Sequence, residues 1–331
     1  MMTLLKTVAA DIPAALISPA ELSILQRLSQ QLPEGQAAIL ECRLSEARPA
    51  ADLSLCLRPR RTGAPAIKAA CPDGEAWAGI RHFYHYWPAL PQLAFLQRTW
   101  LEFDCIDKGA KALEQPCFFF GGNHDQLKVE EWIDRIQLVV DLINQPASGF
   151  TYSKDLLSFC LTQMQPSSRL FQIGLMAFRA VPSLRICVQD RSVKPLLKLL
   201  RSVGLREIAG VMMAELGAYF ESCSKFGLHL DLGEELSLKA SLECYPDAEG
   251  QWGDWPIFLN QLDQMDDLHR TKLAALKNWP GRHILAGDVQ IRQLINHFKF
   301  LLEPGVKPKV KAYLYVGKHH PQTQKKHPLV R

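Results

Sequence analysis

The sequence predicts an α+β fold: a closed antiparallel β-barrel of about ten strands, with helices outside it and a polar lumen. Helical segments alternate about five times with pairs of strand-like segments, giving five α–ββ units. Each strand pair has a short connection, so its two strands must run antiparallel. Most of these strands alternate polar with apolar residues, which gives the sheet one charged face and one apolar face.

The helical segments are recognised by apolar residues at three- and four-residue spacing and by capping residues. Ser18 is placed to cap the first helix, and Pro19 follows it in the first turn. Asp125 is placed as a cap before a long amphipathic segment. The segments predicted to be helical are 18–32, 74–98, 125–144, 153–163, 192–202, 205–224, 254–278 and 287–294.

The strand pairs lie between these helices. A polar turn at 45–51 separates the first two strands, and Pro304-Gly305 marks the turn of the last pair. The five predicted pairs occupy residues 37–59, 99–122, 169–190, 227–246 and 297–317. Closing five such pairs into a barrel removes the exposed sheet edges.

The helices need an apolar surface to pack on, so the apolar face of the sheet is expected to point outward and the charged face inward. Isolated charges in a dry core would cost several kcal/mol each, so such a lumen must hold water, ion pairs or a charged ligand. The alternative is an open α+β sheet whose polar face meets solvent. The predicted lumenal residues are Glu41, Arg43, Arg58, Glu102, Asp104, Arg185, His229, Asp231, Lys239, Glu243, Tyr245, Lys299, Lys311, Tyr313 and Tyr315.

Composition narrows the class of protein. The 331 residues carry a net charge of +4, too small an excess to indicate a nucleic-acid partner, and they hold no apolar stretch long enough to span a membrane. Nine cysteines are scattered without metal-binding spacing, which is typical of reduced thiols in a cytoplasmic protein. We expect residues 1–317 to form one barrel domain and 318–331 to be a basic, flexible tail.

Three strands point to a known family. The segment KVKAYLYV (309–316) places Lys and Tyr on one face, and SLRICV (183–188) and SLKASLECY (237–245) each present one basic residue to that face. With the order of elements over about 18–316, these strands resemble the barrel of the aromatic and peptide prenyltransferases, the ABBA fold, of which the chain looks like a divergent member. The resemblance implies a transferase that moves an isoprenyl group from an allylic diphosphate to an aromatic or peptide acceptor.

The resemblance also implies roles for the lumenal residues. Glu102 is the first choice to take the proton from the acceptor, with Glu41 and Asp104 as further candidates, although Glu102 is equally well explained as the partner of a lumenal arginine. Trp100, Phe118 and Phe120 are expected to shield the allylic cation. Residues expected to bind the diphosphate are Arg43, Arg58, Arg185, Lys239, Lys299, Lys311, Tyr245, Tyr313 and Tyr315.

The sequence also departs from isoprenoid synthases in general. It has no DDxxD motif, so no metal is expected to be required, although Asp104 and Asp231 could hold Mg²⁺. Two other functions stay open. One is a barrel that binds or modifies a biosynthetic peptide without prenylating it, and the other is a binding module for an anionic ligand.

Overall fold

The computed structural model describes most of the chain. The described residues are 2–58, 67–69, 71–114, 116–121, 128–144, 150–177, 179–246, 255–285 and 289–319. The predicted cap Asp125 and the tail beyond His319 lie outside the described residues.

Ten antiparallel strands close into one barrel, which confirms the predicted fold class. Each strand from β1 to β8 pairs with the next, β8 pairs with β10, β10 with β11, and β11 with β1. The strand β9 pairs with the start of β10 and lies outside the closed ring. The strands are β1 Ala37–Arg43, β2 Ala51–Leu57, β3 Arg98–Phe103, β4 Cys117–Gly121, β5 Arg169–Leu175, β6 Leu184–Asp190, β7 Lys225–Leu232, β8 Leu236–Tyr245, β9 Gly281–Ile284, β10 Gln290–Glu303 and β11 Val306–His319.

The helices pack on the outer, apolar face of the barrel. Leu40, Leu53 and Leu101 point into this layer and are fully buried, as alternation predicts. Serine caps begin several helices; the Ser153 hydroxyl, for example, accepts from the Leu156 N–H. The helices are α1 Met2–Val8, α2 Pro19–Gln30, α3 Glu75–Tyr86, α4 Cys105–Lys108, α5 Val129–Ile143, α6 Lys154–Thr162, α7 Val193–Ser202, α8 Arg206–Leu216, α9 Trp255–Leu262 and α10 Arg270–Leu276.

Two predictions about elements were wrong. The predicted helix at 287–294 is wrong over 290–294, because β10 begins at Gln290 and alternates buried with half-buried residues at the spacing of a strand. So short a segment does not distinguish the period of a helix from that of a strand. The tail also begins later than predicted, because Lys318 and His319 still pair with β10 as part of β11.

The direction of the chain gives the two ends of the barrel different characters. Four of the five strand pairs have short connections at one end of the barrel, which we call the turn end; the β3–β4 connection at this end is longer and contains α4. Helical connections join one pair to the next at the other, the helix end. The first residues of β3, β5 and β7 therefore all lie at the helix end. In the described part of the chain no helix is long and apolar enough to cross a membrane.

Candidate functional site

A cavity of about 460 Å³ lies inside the barrel. It is lined by side chains from β1 to β8, β10 and β11, and it opens to solvent at the helix end, where Arg98 and Arg169 are exposed. A volume of this size is in the range of small-molecule sites.

Three cations stand at the opening. Arg98, Arg169 and Lys225 are the first residues of β3, β5 and β7, and all three line the cavity. We call this set the basic mouth. Arg169 Nε donates to Gln189 Oε1 at 2.9 Å, and Lys225 Nζ lies 4.1 Å from the centre of the Tyr245 ring. Within the described residues none of the three forms an ion pair with a carboxylate.

The mouth cations act on one another. Burial lowers the pKa of Lys225, and the nearby Arg169 charge lowers it further; Glu243 opposes this, and Arg98 adds a smaller lowering effect. Like charges held together without a counter-ion are destabilising, and a bound anion relieves that repulsion. The mouth is therefore preformed for a negatively charged group.

Tyr315 and Arg58 lie at the same end of the barrel as the basic mouth. Burial raises the pKa of Tyr315, while the Arg58, Arg98 and Arg292 charges act to lower it. Tyr315 lines the cavity, and Arg58 follows β2 at the same end. Arg58 and Tyr315, two of the predicted diphosphate ligands, are thus near each other at this end, and of the two only Tyr315 lines the cavity.

A buried polar network forms the wall below the mouth. Glu243 Oε1 lies 2.9 Å from His229 Nε2 and 3.2 Å from His297 Nε2, although neither ring N–H is aligned on the oxygen. Tyr245 Oη donates to Glu243 Oε2 at 2.6 Å. Lys299 Nζ lies 2.9 Å from His229 Nδ1. Burial acts to raise the pKa of Glu243, but the two histidines beside it lower that pKa well below its usual value, so Glu243 is a carboxylate.

The contacts within this network indicate which of its side chains carry protons and where those protons point. A Lys299 ammonium that donates to Nδ1 favours the His229 tautomer with its proton on Nε2, beside Glu243. Burial lowers the pKa of His229 to about 4, with Lys299 contributing and Glu243 opposing. The hydroxyl proton of Tyr245 is directed at Glu243, so this phenol does not point a donor at the mouth. His297 stacks on Tyr313, with ring centres 4.1 Å apart, and both rings face the cavity.

An aromatic patch lines the opposite wall. Cys117, Phe119 and Met176 form a small buried cluster with Trp100, separate from the outer core. Trp100 and Phe119 face each other across β3 and β4, so both point inward. Gly174 makes room for Phe119, since a Cβ there would lie 2.4 Å from its ring.

The prediction for Phe118 and Phe120 was wrong. Both side chains point outward and are buried under the helices, and Phe118 packs against Phe83 with ring centres 5.0 Å apart. Three consecutive phenylalanines show no alternation, so only the pairing of Trp100 with Phe119 decides which ring faces the lumen.

Ion pairs fill the turn end of the lumen. Arg185 binds Asp231 through two hydrogen bonds, of 2.6 and 2.7 Å. Lys311 donates to Glu41. Arg43 binds Asp107 and Asp52, the latter at 3.1 Å. Arg179 Nη2, on the β5–β6 turn, lies 2.6 Å from Glu102 Oε1 and 3.1 Å from Asp104 Oδ1. We call these ion pairs the paired layer.

Four of the predicted diphosphate ligands are thus elsewhere engaged. Arg43, Arg185 and Lys311 belong to the paired layer, are neutralised by carboxylates and do not line the cavity. Lys239 is 66% exposed and pairs with Glu303 at 2.8 Å. It lies outside the lumen because the last paired residue of β8 next to β10 is Ala240.

Glu102 connects the paired layer with the cavity. It binds an arginine at the lumen, Arg179, as one of its two interpretations predicted, and it also lines the cavity wall. Burial raises the pKa of Glu102, the Arg179 charge opposes that, and the neighbouring Glu41 and Asp104 add to it. A carboxylate with a raised pKa in a cavity is suited to accept a proton.

The other two acidic candidates are placed less favourably. Burial acts to raise the pKa of Glu41, but Lys311 and Lys299 lower it to about 2, and the group does not line the cavity. Asp104 and Asp231, the candidates for Mg²⁺, each bind an arginine instead. Among the described residues no group of three His, Cys, Asp or Glu side chains could hold a metal ion.

The structure therefore brings together only part of the predicted set. The residues predicted to have a role in catalysis or binding that line the cavity are Trp100, Glu102, Tyr245, Lys299, Tyr313 and Tyr315, and the predicted lumenal residues His229 and Glu243 line it as well. Sequence reasoning missed Arg98, Arg169, Lys225, Phe119 and His297. A signal for the first three was present, because each is a basic residue at the start of the first strand of a pair.

The fold is shared with solved prenyltransferase structures. The apo form of the prenyltransferase PriB has a TM-score of 0.57 and 11% identity, over 95% of this chain and 94% of that one. PriB in a binary complex with product diphosphate gives 0.55 and 12%, over 95% and 93%. 5-Dimethylallyl tryptophan synthase from Streptomyces coelicolor, in complex with DMASPP and Trp, gives 0.51 and 13%, over 100% and 96%.

No protein-family model matches the chain, and no curated protein matches it. At 11 to 13% identity, the structural similarity establishes the prenyltransferase-barrel fold.

Proposed function

We propose that this protein transfers a short isoprenyl group from its allylic diphosphate to an aromatic acceptor inside the barrel. The observation that carries the proposal is the basic mouth: three cations without carboxylate partners in the described chain, at the opening of a cavity with an aromatic wall. The prenyltransferase barrel around them supports the same reaction class.

The donor diphosphate would lie in the mouth. Arg98, Arg169 and Lys225 would neutralise it, with Lys299 reaching it from below and Tyr315 beside it. As the bond between carbon and oxygen breaks, the leaving diphosphate takes the electron pair and gains charge. Cations already in position stabilise that charge more in the transition state than in the ground state.

The allylic chain would lie against the aromatic wall. Trp100, Phe119 and Tyr313 present ring faces to the cavity, and ring faces attract a carbocation while excluding water that would quench it. The acceptor ring then attacks the allylic carbon, and the proton it loses passes to the Glu102 carboxylate. In these steps the mouth cations stabilise the leaving diphosphate without a metal ion, so we expect transfer to continue in EDTA.

The acceptor is the less constrained substrate. A cavity of about 460 Å³ must hold donor and acceptor together, which favours one aromatic ring system. A peptide acceptor would enter by a single aromatic side chain. The synthase from Streptomyces coelicolor binds Trp with DMASPP, so tryptophan is the first acceptor to test. The nine cysteines are all free thiols, in keeping with the cytoplasmic location expected from the sequence.

The test compares two lysine variants. Lys225→Gln removes a mouth cation, whereas Lys239→Gln removes an exposed cation outside the lumen. Calorimetry with dimethylallyl diphosphate should show affinity about tenfold or more weaker in the first variant, since a hydrogen bond to a charged group contributes about 1.5–3 kcal/mol. The second variant should bind like the wild type.

Transfer is measured on the same proteins by mass spectrometry after incubation with the donor and a panel of indoles and phenols. Addition of one isoprenyl unit supports the proposal. Binding that depends on Lys225, without transfer to any acceptor, would instead indicate the second candidate, a binding module for an anionic ligand. Equal binding by both variants would refute the assignment of the mouth.

A further inference from the structure

Arg179 has no assigned role in the proposed reaction, yet it contacts Glu102, the proposed proton acceptor. It lies on the β5–β6 turn and not on a strand, and its guanidinium enters the turn end of the lumen. Nη2 lies 2.6 Å from Glu102 Oε1 and 3.1 Å from Asp104 Oδ1. Of these two carboxylates only Glu102 lines the cavity.

We propose that Arg179 is a positioning residue, whose guanidinium keeps the Glu102 carboxylate ionised and fixed at the cavity wall as the proton acceptor. This inference rests on the proposed function. A proton acceptor must be ionised when the substrate binds and must point one oxygen at the substrate. Arg179 supplies the charge for the first requirement and the hydrogen bond to Oε1 for the second, which leaves Oε2 for the acceptor.

The charges around Glu102 show why a dedicated cation is needed. Burial raises its pKa, and the nearby carboxylates of Glu41 and Asp104 raise it further, so these effects favour the protonated form, which cannot accept a proton. Arg179 is the largest influence in the opposite direction. The groups that face Glu102 are Arg179 from the turn, Glu41 on β1, Asp104 after β3, Cys117 on β4, Arg185 on β6, Lys299 on β10 and Tyr313 on β11.

The cations other than Arg179 have other partners. Arg185 binds Asp231 through two hydrogen bonds, and Lys299 binds His229. Cys117 and Tyr313 are neutral, because burial raises the pKa of each, to about 12 for the thiol. Asp104 competes with Glu102 for the same guanidinium nitrogen. The protonation of Glu102 therefore depends on Arg179 more than on any other single residue.

The test is the pH profile of kcat/KM for prenyl transfer, in wild type and in Arg179→Gln. The matched control is Arg43→Gln, because Arg43 also bridges carboxylates at the turn end, those of Glu46, Asp52 and Asp107, and none of them lines the cavity. An arginine beside a carboxylate lowers its pKa by about 1–3 units. The acidic limb should therefore move up by about one unit or more in Arg179→Gln and stay in place in Arg43→Gln.

A merely structural role would lower the rate equally at all pH values, whereas a lost charge lowers it at pH 6 and spares it at pH 9. The Arg179→Lys variant should restore much of the profile. Asp104→Asn serves if the Gln variant does not fold: removing the competing carboxylate should move the acidic limb down. A limb that stays in place in the folded variants overturns the proposal.

A second readout does not need activity. In Arg179→Gln the folded-state pKa of Glu102 lies further above its unfolded value, so its contribution to stability is lost as pH rises through that pKa. The variant should therefore lose thermal stability between pH 5 and 8, and Arg179→Gln/Glu102→Gln should not. If no acceptor is ever prenylated but this difference is seen, the proposed function fails while the coupling of Arg179 to Glu102 holds; transfer without the difference overturns the coupling alone.

Discussion

The two ends of the lumen use cations in opposite ways. In the paired layer the four cations are each bound to a carboxylate, and none of them lines the cavity. In the basic mouth three cations line the cavity without such a partner in the described chain. The comparison shows that the number of charges in a barrel does not identify its ligand site; what identifies it is the charge that the protein leaves uncompensated.

The difference has a thermodynamic reason. A neutralised ion pair at the turn end supports the fold without attracting a ligand. Uncompensated cations at the helix end cost stability in the free protein, and a ligand that neutralises them recovers that free energy on binding. The two ends therefore predict different consequences of losing a charge.

The largest effect is expected in the paired layer. Asp231→Ala leaves the buried Arg185 guanidinium without its carboxylate and should lower the free energy of unfolding by about 3 kcal/mol. Urea denaturation measures it. The double variant Arg185→Met/Asp231→Ala should recover much of the loss, because no unpaired charge is left buried. A single variant as stable as the wild type would contradict the role of this layer.

A smaller effect is expected where two carboxylates of the paired layer meet. Glu41 and Asp52 face each other across β1 and β2. Burial and then the Glu41 charge raise the pKa of Asp52 to about 7. Because this value exceeds the unfolded one, the stability contributed by the protonated group is present at pH 4 and lost as pH rises through 7.

Asp52→Asn should therefore remove roughly 1–2 kcal/mol of the decline in stability between pH 5 and 8. The asparagine oxygen can still accept from the Ile106 N–H, which Asp52 holds at 2.8 Å. Thermal melts of both proteins at intervals of half a pH unit measure the slope. Parallel curves for the two proteins would show that Asp52 is already ionised at pH 5.

The smallest effect on stability is expected in the mouth. Lys225→Met keeps the contact with the Tyr245 ring and removes a charge that Arg98 and Arg169 repel. Its free energy of unfolding should differ from that of the wild type by less than about 1 kcal/mol. A loss as large as that of Asp231→Ala would mean that the mouth is a structural element like the paired layer.

Part of this site could be predicted from the amino-acid sequence. Alternation in β11 correctly placed Tyr313 and Tyr315 at the cavity, and the alternation in β3 did the same for Trp100 and Glu102. The start of β3 was predicted one residue late, which left Arg98 outside the strand. Strand ends are read less surely than strand interiors because they carry few residues of the alternating pattern.

Other assignments needed long-range contacts. Lys239 has the same alternation as Glu243 but lies beyond the last residue paired with β10, so it meets solvent. Arg185 fits the family pattern of one basic residue on the inner face of a strand, and it does point inward. Asp231 on the next strand neutralises it in an ion pair, so it is not available to a ligand.

Side-chain alternation and the connections within strand pairs are local properties of each pair, and for that reason they predicted the barrel and its polar lumen from the amino-acid sequence, with an open sheet as the alternative. The pairing of β1 with β11 closes the sheet, and contacts between strands also establish which of the three phenylalanines of β4 faces inward, where the strands end relative to the ring, and which cations are neutralised. Those outcomes depend on register and on the distance between charges from different strands, and neither is encoded in the pattern of any one strand.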